Sequence, residues 1–414
     1  MQTNLASWIK DTPEGRDADA ILRKCVHCGF CTATCPTYQL LGDELDGPRG
    51  RIYLVKQVLE GVEPTAKTQM HLDRCLTCRS CETTCPSGVE YGRLIDIGRK
   101  LVDQTVGRGV LEGWMHGAMA AVLSRGALFA PLVALGRLMK PVLPPSLAAK
   151  VPAPARDPGA WPAPRHARRM IALAGCVQPS LAPDTNAAAA RVLDRLGISL
   201  VEASAAGCCG ALRYHLNRQA DGLDDARRVI DAWWPLVSAE GNAGVEAIVM
   251  TASGCGAMVR EYGHLLARDP VYADKAKRIS ELALDLVEVL WNETERGALT
   301  AASLRPASGK VAFHAPCTLQ HGQKLKGLPE RLLARLGFEL TPVPDSHLCC
   351  GSAGTYSILQ PDLANRLRAN KLEALGSGEP AMILTANIGC QMHLDAAADR
   401  PVRHWITELE ARLG

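Results

Sequence analysis

The residue type that decides what chemistry this chain can do is cysteine. Of its 16 cysteines, eight fall in two runs, Cys25-Val26-His27-Cys28-Gly29-Phe30-Cys31-Thr32-Ala33-Thr34-Cys35-Pro36 and Cys75-Leu76-Thr77-Cys78-Arg79-Ser80-Cys81-Glu82-Thr83-Thr84-Cys85-Pro86. Each reads C-x2-C-x2-C-x3-C-P, the spacing at which thiolates enclose a [4Fe–4S] cluster. Three closely spaced thiolates cover three corners of a cubane when the backbone loops over it. The fourth cysteine is expected to open a helix that leads away, and in two-cluster proteins it ligates the other cluster. The expected ligand sets are therefore Cys25, Cys28, Cys31 and Cys85 for one cluster, and Cys75, Cys78, Cys81 and Cys35 for the other. Pro36 and Pro86 turn the chain out of each loop. CxxC pairs also build structural zinc sites, but such a site needs four ligands and no third cysteine at the same spacing.

The other eight cysteines lie in a duplicated second half. A short β-rich stretch ends at Cys176 in RRMIALAGC and at Cys317 in SGKVAFHAPC. Helical patterns follow, with Ala190, Leu193 and Leu196 in one copy and Leu332, Leu333 and Leu336 in the other. LGISLVEA and LGFELTPV then predict strands opening at Gly197 and Gly337. Cys208-Cys209-Gly210 and Cys349-Cys350-Gly351 come next, each pair starting 32 residues after the first cysteine of its copy. After an Arg- and Ala-rich helix, each copy closes on a strand and a Gly-Cys, at Cys255 and Cys390. Alternating strand and helix implies α/β units with a mostly parallel sheet. Cysteines at strand ends would meet at the carboxyl edge, where open α/β sheets hold ligands. A lone cysteine is often a small buried hydrophobe, but the matched constellation points to metal or redox use. His314 and His321 flank Cys317. Each reads as an auxiliary ligand or proton donor, or as a hydrogen-bonded structural histidine.

The remaining elements must position these residues. An amphipathic helix over roughly 18–24 delivers Cys25. Gly47-Pro48-Arg49-Gly50 punctuates the segment between the runs, and Ile52, Val55, Val58 and Leu59 form one apolar stripe over the clusters. Arg49 and Arg51 are either counter-charges for a cluster or solvated surface residues. Leu94, Ile97, Leu101 and Val102 continue helically. Residues 109–140 are apolar, but the run Gly126 to Gly136 is well short of the about 20 residues of a membrane span and contains Pro131. A buried helical hairpin is the expectation, with a surface that docks on a partner or a membrane face as the alternative. Residues 141–168 hold eight prolines and predict an extended linker. The expected organisation is 1–105 two-cluster domain, 106–140 apolar helical segment, 141–168 linker, 169–300 first repeat and 301–414 second repeat. The fold class is α+β overall: a mainly helical two-cluster ferredoxin-like domain, then a duplicated α/β cysteine-rich domain.

A net charge of +3 argues against nucleic acid as a partner. The first 25 residues show no apolar core, twin arginine or cleavage site, which predicts a reducing cytoplasmic location. Peripheral attachment to the cytoplasmic face of the inner membrane is the alternative. No GxGxxG opens a helix after a strand, so no flavin is expected in this chain.

Two ferredoxin runs, a proline-rich linker and two C…CCG…GC repeats resemble the iron–sulfur subunits of membrane-linked flavin dehydrogenases. The circle includes heterodisulfide-reductase-like proteins and the iron–sulfur subunits of lactate and glycerol-3-phosphate dehydrogenases. The likeness is narrowest to the iron–sulfur subunits of glycolate oxidase (glycolate dehydrogenase), through CVHCGFCTATCPTYQLLGDELDGPRGRIYL and HLDRCLTCRSCETTCPSGVEYGRL. It implies two [4Fe–4S] clusters and flavin-containing partner subunits in a hetero-oligomer. Glycolate would be oxidised to glyoxylate on the partner, and electrons would pass through this chain toward a quinone or other acceptor. A thiol–disulfide enzyme of the heterodisulfide reductase kind is the alternative it leaves. In that kind the repeat ends in CxxC and holds an unusual cluster; here Cys255-Gly256-Ala257-Met258 and Cys390-Gln391-Met392-His393 lack the last cysteine. The resemblance therefore leaves Cys176, Cys208, Cys209, Cys255, Cys317, Cys349, Cys350 and Cys390 open to a further cluster, to zinc or to no metal.

Overall fold

The computed structural model describes residues 1–413 apart from 145–147, 149, 150, 239–243, 307 and 308. The N-terminal part is helical because its apolar residues recur at helical spacing and its helix starts are chemically marked. The helix Pro13–Lys24 begins five residues earlier than expected, since Thr12 caps it by accepting from the Gly15 N–H and Pro13 sits at its first position. The helix Pro48–Leu59 buries Ile52, Val55, Val58 and Leu59, each worth about 1.5–3 kcal/mol on removal from water. It crosses the helix Tyr91–Val106, which buries Leu94, Ile95 and Val102. Of the expected stripe on that second helix, Ile97 and Leu101 are only partly buried. Together with Ile21, Leu22 and Leu72 these residues form one core behind the cysteine loops.

The two repeats build two parallel sheets. The first contains β1 (Arg168–Ala172), β2 (Ile198–Glu202), β3 (Ala247–Met250) and β4 (Ala283–Asp285), in the order β2-β1-β3-β4. The second contains β5 (Val311–His314), β6 (Met382–Thr385) and β7 (Val402–His404), in the order β5-β6-β7. The strand expected in LGFELTPV is reduced to a single bridge between Leu340 and Val311. That bridge stands where β2 stands in the first sheet, so the topology is duplicated even though one strand is not. Pro342 and Pro344, which cannot donate to a ladder, follow directly.

The repeats share one core. The helix Asp184–Arg195 of the first packs on Trp405–Arg412 of the second, and Leu286–Glu295 packs on Leu328–Arg335. One apolar cluster runs from Met170, Leu193 and Leu290 to Phe313, Leu333, Trp405 and Leu409. Arg191 and Glu410 pair across the same seam.

The apolar segment forms two helices, Val110–Val122 and Gly126–Met139, but they are not buried as expected. Only Met119, Ala120 and Val133 are fully covered, while Val110, Leu111, Trp114 and Leu138 are 94, 79, 72 and 76% exposed. One face of the first helix rests on Leu212, Leu216 and Leu359; among the described residues nothing covers Val110, Leu111 and Trp114 on the other. No single helix among the described residues is long and apolar enough to cross a membrane, and the pair is bent by 104°. Part of the proline-rich stretch lies outside the described residues. Its remainder from 151 to 166 has no helix or strand and runs beside β2, where Trp161 Nε1 donates to the Leu200 carbonyl at 3.0 Å.

The glycine of each CCG turn has a specific cause. Gly210 and Gly351 have φ of 89° and 90°, the left-handed region that favours glycine. A Cβ on them would stand 2.3 Å from the Gly222 oxygen and 2.7 Å from the Ala364 oxygen, backbone of the helix that follows. Gly351→Ala is expected to lower the unfolding free energy by about 2–4 kcal/mol through backbone strain and overpacking, read by urea unfolding.

Candidate metal centres

The two cysteine runs fold into loops of the same shape. His27 and Thr77 occupy matching positions with φ of 56° and 49°, and Gly29 and Arg79 do so with 85° and 61°. Left-handed non-glycine residues, a β-branched threonine among them, cost of order 1–2 kcal/mol each. The repetition of that strain in both loops marks them as built for a ligand. The expectation that the fourth cysteine opens a helix holds at Cys35, which precedes Pro36–Leu41. At Cys85 it does not: that residue ends the short helix Ser80–Thr84, and the next helix starts only at Tyr91.

Two recesses result. One of about 440 Å³ is lined by Cys25, Cys28, Cys31 and Cys85, with Cys81 on its wall. The other, about 290 Å³, is lined by Cys35, Cys75, Cys78 and Cys81. The second thus receives three thiols from its own run and one from the other, and the first receives three from its own run and both Cys85 and Cys81 from the other. These thiols resist ionising together. Burial, reinforced by Cys25, Cys28 and Cys85, pushes Cys31 up to about 11. Burial first, then neighbouring thiols, pushes Cys78 and Cys81 well above the ordinary thiol value. A donor set of this kind requires a cation among the sulfurs to hold them as thiolates, and it fits an iron–sulfur cluster.

The surroundings of the two recesses differ. Arg51, which the sequence left open as surface or counter-charge, is 1% exposed on the wall of the second. It donates to the His71 carbonyl at 2.7 Å and Thr37 Oγ1 at 3.1 Å, and pairs with Asp46 at 3.4 Å. Thr37 Oγ1 is also 3.3 Å from Cys35 Sγ, and the Tyr91 hydroxyl donates to Cys75 Sγ at 3.6 Å. Asp46 and His71 sit with Asp43 in a geometry that could take a cation, but Asp46 already faces Arg51 and Arg74. At the rim of the first recess Cys28 and Phe30 are exposed, and Arg49 is paired with Glu44 at 2.6 Å. The parts played by Tyr91 and Thr37 had no signal in the sequence, because nothing local says which sulfur a hydroxyl will face.

The second half brings its cysteines together at the carboxyl edge of each sheet. In the first repeat Cys208 is held far below the ordinary thiol value by hydrogen bonds from Cys176 and Cys209. The Gly210 N–H adds a third at 3.4 Å. Cys209 in turn bonds Cys255. In the second repeat Cys317 Sγ donates to Cys349 Sγ at 3.8 Å, and Cys350 bonds Cys349 and Cys390. The two repeats are placed differently relative to the N-terminal part. Cys317 and Cys349 share an apolar cluster with Leu76, Cys78 and Tyr356, so the second repeat abuts the second recess. His321 is structural: its Nδ1 is 2.8 Å from Thr83 Oγ1 and its Nε2 3.0 Å from the His347 carbonyl. Glu261 pairs with Arg79 at 3.0 Å and Arg93 at 3.3 Å across the same boundary.

Residues 21–89 match the 4Fe-4S dicluster domain family, and residues 171–260 and 311–395 each match the cysteine-rich domain family. Over 413 residues the chain is 59% identical to the glycolate oxidase iron-sulfur subunit of Escherichia coli (strain K12), covering 100% of this chain and 99% of that protein. The chain belongs to the family of glycolate oxidase iron–sulfur subunits. The probable glycolate oxidase iron-sulfur subunit of Bacillus subtilis (strain 168) is 29% identical over 414 residues, 92% of this chain and 89% of that one. Lactate utilization protein A of Geobacillus thermodenitrificans is 28% identical over 220 residues, 52% of this chain and 87% of that protein. The N-terminal part is accordingly a module for two [4Fe–4S] clusters.

A buried positive charge beside a cluster favours the reduced, more negative state. Arg51→Gln is expected to lower the potential of the cluster in the second recess by on the order of 100 mV, from about 2–3 kcal/mol for a charge a few Å away. Arg51→Lys should restore most of it. Potentiometric titration followed by electron paramagnetic resonance reads the shift, and an unchanged potential would refute the role given to Arg51.

Proposed function

We propose that this chain is the electron-transfer subunit of a glycolate-oxidising oxidoreductase complex, carrying electrons from a flavin on a partner subunit toward a quinone or other acceptor. The observation that carries the reading is the pair of four-thiol recesses in a chain 59% identical to a glycolate oxidase iron-sulfur subunit along its length. Cys25, Cys28, Cys31 and Cys85 hold one cluster, and Cys75, Cys78, Cys81 and Cys35 hold the other. Bound there, [4Fe–4S] centres supply one-electron steps between a two-electron donor and the acceptor.

The chain's own residues set the route. Val26, Cys28 and Phe30 leave the first recess facing outward, which suits electron exchange with the flavin partner. The second recess is walled by Tyr91 and Arg51 and abuts the second repeat. Cys176, Cys208, Cys209 and Cys255, and Cys317, Cys349, Cys350 and Cys390, form two further four-thiol sites for metal or redox use. The exposed apolar faces of Val110–Val122 and Gly126–Met139 carry the exposed cations Arg125 and Lys140 at their ends. That composition suits peripheral contact with an anionic lipid surface on the cytoplasmic side.

Two measurements test these assignments. Cys85→Ser should damage the cluster held by Cys25, Cys28 and Cys31 and spare the one held by Cys75, Cys78 and Cys81. Resolved spin signals distinguish them, and loss of the second signal instead would overturn the exchange of fourth ligands. Replacing Leu111 and Trp114 together by Glu should cut co-sedimentation with anionic vesicles by about tenfold or more without changing the melting temperature. Unchanged sedimentation would remove the membrane from the proposal.

A further inference from the structure

The four cysteines of the second repeat have a neighbour that the first repeat lacks. His314 lies at the end of β5, three residues before Cys317, and is 2% exposed. Its Nε2 has no hydrogen-bond partner among the described residues. A buried polar atom left unpaired costs about 1–3 kcal/mol, so an imidazole in this position calls for a ligand. A ring nitrogen of His314 and the sulfurs of Cys350 and Cys390 all lie within 4.8 Å of one another. Three separate elements bring them together: the end of β5, the second CCG turn and the first turn of the helix Ile388–Asp395.

At the equivalent place in the first repeat, three residues before Cys176, stands Leu173, buried in an apolar cluster. The duplicated sheets therefore present different donor sets. One imidazole nitrogen with two thiolates is a set for a borderline-soft divalent ion. Hard ions prefer oxygen donors, and cubane clusters are held chiefly by thiolates. Two thiolates balance the charge of such an ion. Cys349, bonded to Cys350, is the side chain at hand for a fourth position. Lys371, largely buried and anchored to the Asp345 carbonyl at 2.8 Å, adds a positive charge near the same sulfurs.

We propose that His314, Cys350 and Cys390 form a zinc-type divalent cation site confined to the second repeat. Cys350 and Cys390 lie in a core built only from second-repeat residues, so the cation would hold the end of β5, the CCG turn and the helix Ile388–Asp395 together. The site does not depend on the glycolate reading, since the cation would bind whatever substrate the partner oxidises.

The test uses the full chain, purified anaerobically with its clusters, and measures metals per chain. About one zinc is expected besides about eight irons of two [4Fe–4S] clusters. His314→Ala should reduce zinc by about tenfold or more and leave the iron unchanged, while Leu173→Ala should keep both. Zinc K-edge absorption of the unmutated chain should show a mixed nitrogen and sulfur shell, a readout that survives if the variants fail to fold. Zinc retained by a folded His314→Ala chain, an all-sulfur shell, or iron above about eight that His314→Ala removes would each overturn the proposal.

Discussion

Several thiols cannot share one recess as thiolates unless something positive lies among them, and most of this chain's architecture answers that constraint. Burial raises the cost of each negative sulfur, as Cys31, Cys78 and Cys81 show. The loops nevertheless spend strain at His27 and Thr77 to hold the sulfurs together. Arg51 is then buried with its hydrogen bonds satisfied by Thr37, the His71 carbonyl and Asp46, a charge that could not stay inside a protein without such partners. The helices behind the loops form a core into which the buried Cys25, Cys75 and Cys81 are packed.

The second half obeys the same logic on a different scaffold. Parallel strands end at one edge, and each repeat turns there through a glycine that only fits because it has no side chain. Both sheets share a core, so neither can shift without the other. What separates the repeats is their company. The first gathers its cysteines around Cys208 in its own interior, whereas the second presses Cys317 and Cys349 against the wall that holds Cys78. A duplicated sequence has thus become two unequal sites.

Much of this was legible from spacing alone. The thiol runs, the apolar stripe of Ile52, Val55 and Val58, and the duplicated order of strand, helix and CCG turn are local patterns with local physical causes. The short strands β4 and β7 left no such pattern, because three residues leading straight into a helix look like the helix itself. The apolar pair Val110–Val122 and Gly126–Met139 was expected inside and lies mostly outside. Apolar composition sets helix formation; whether a face is covered depends on which other surface the fold brings to it.

Spacing and residue chemistry alone pointed to the cysteines as candidate donors and to their grouping, and they located where the fold repeats, since both travel with the chain. It also carried the family likeness, in the stretch between the two runs. Packing between distant parts of the chain decided that Arg51 is a buried charge beside Cys35 and Cys75, that the second repeat abuts the second recess, and that the His314 Nε2 has no hydrogen-bond partner among the described residues. Those are contacts between residues far apart in the chain. They are set by how helices and sheets pack against each other, and no local pattern encodes them.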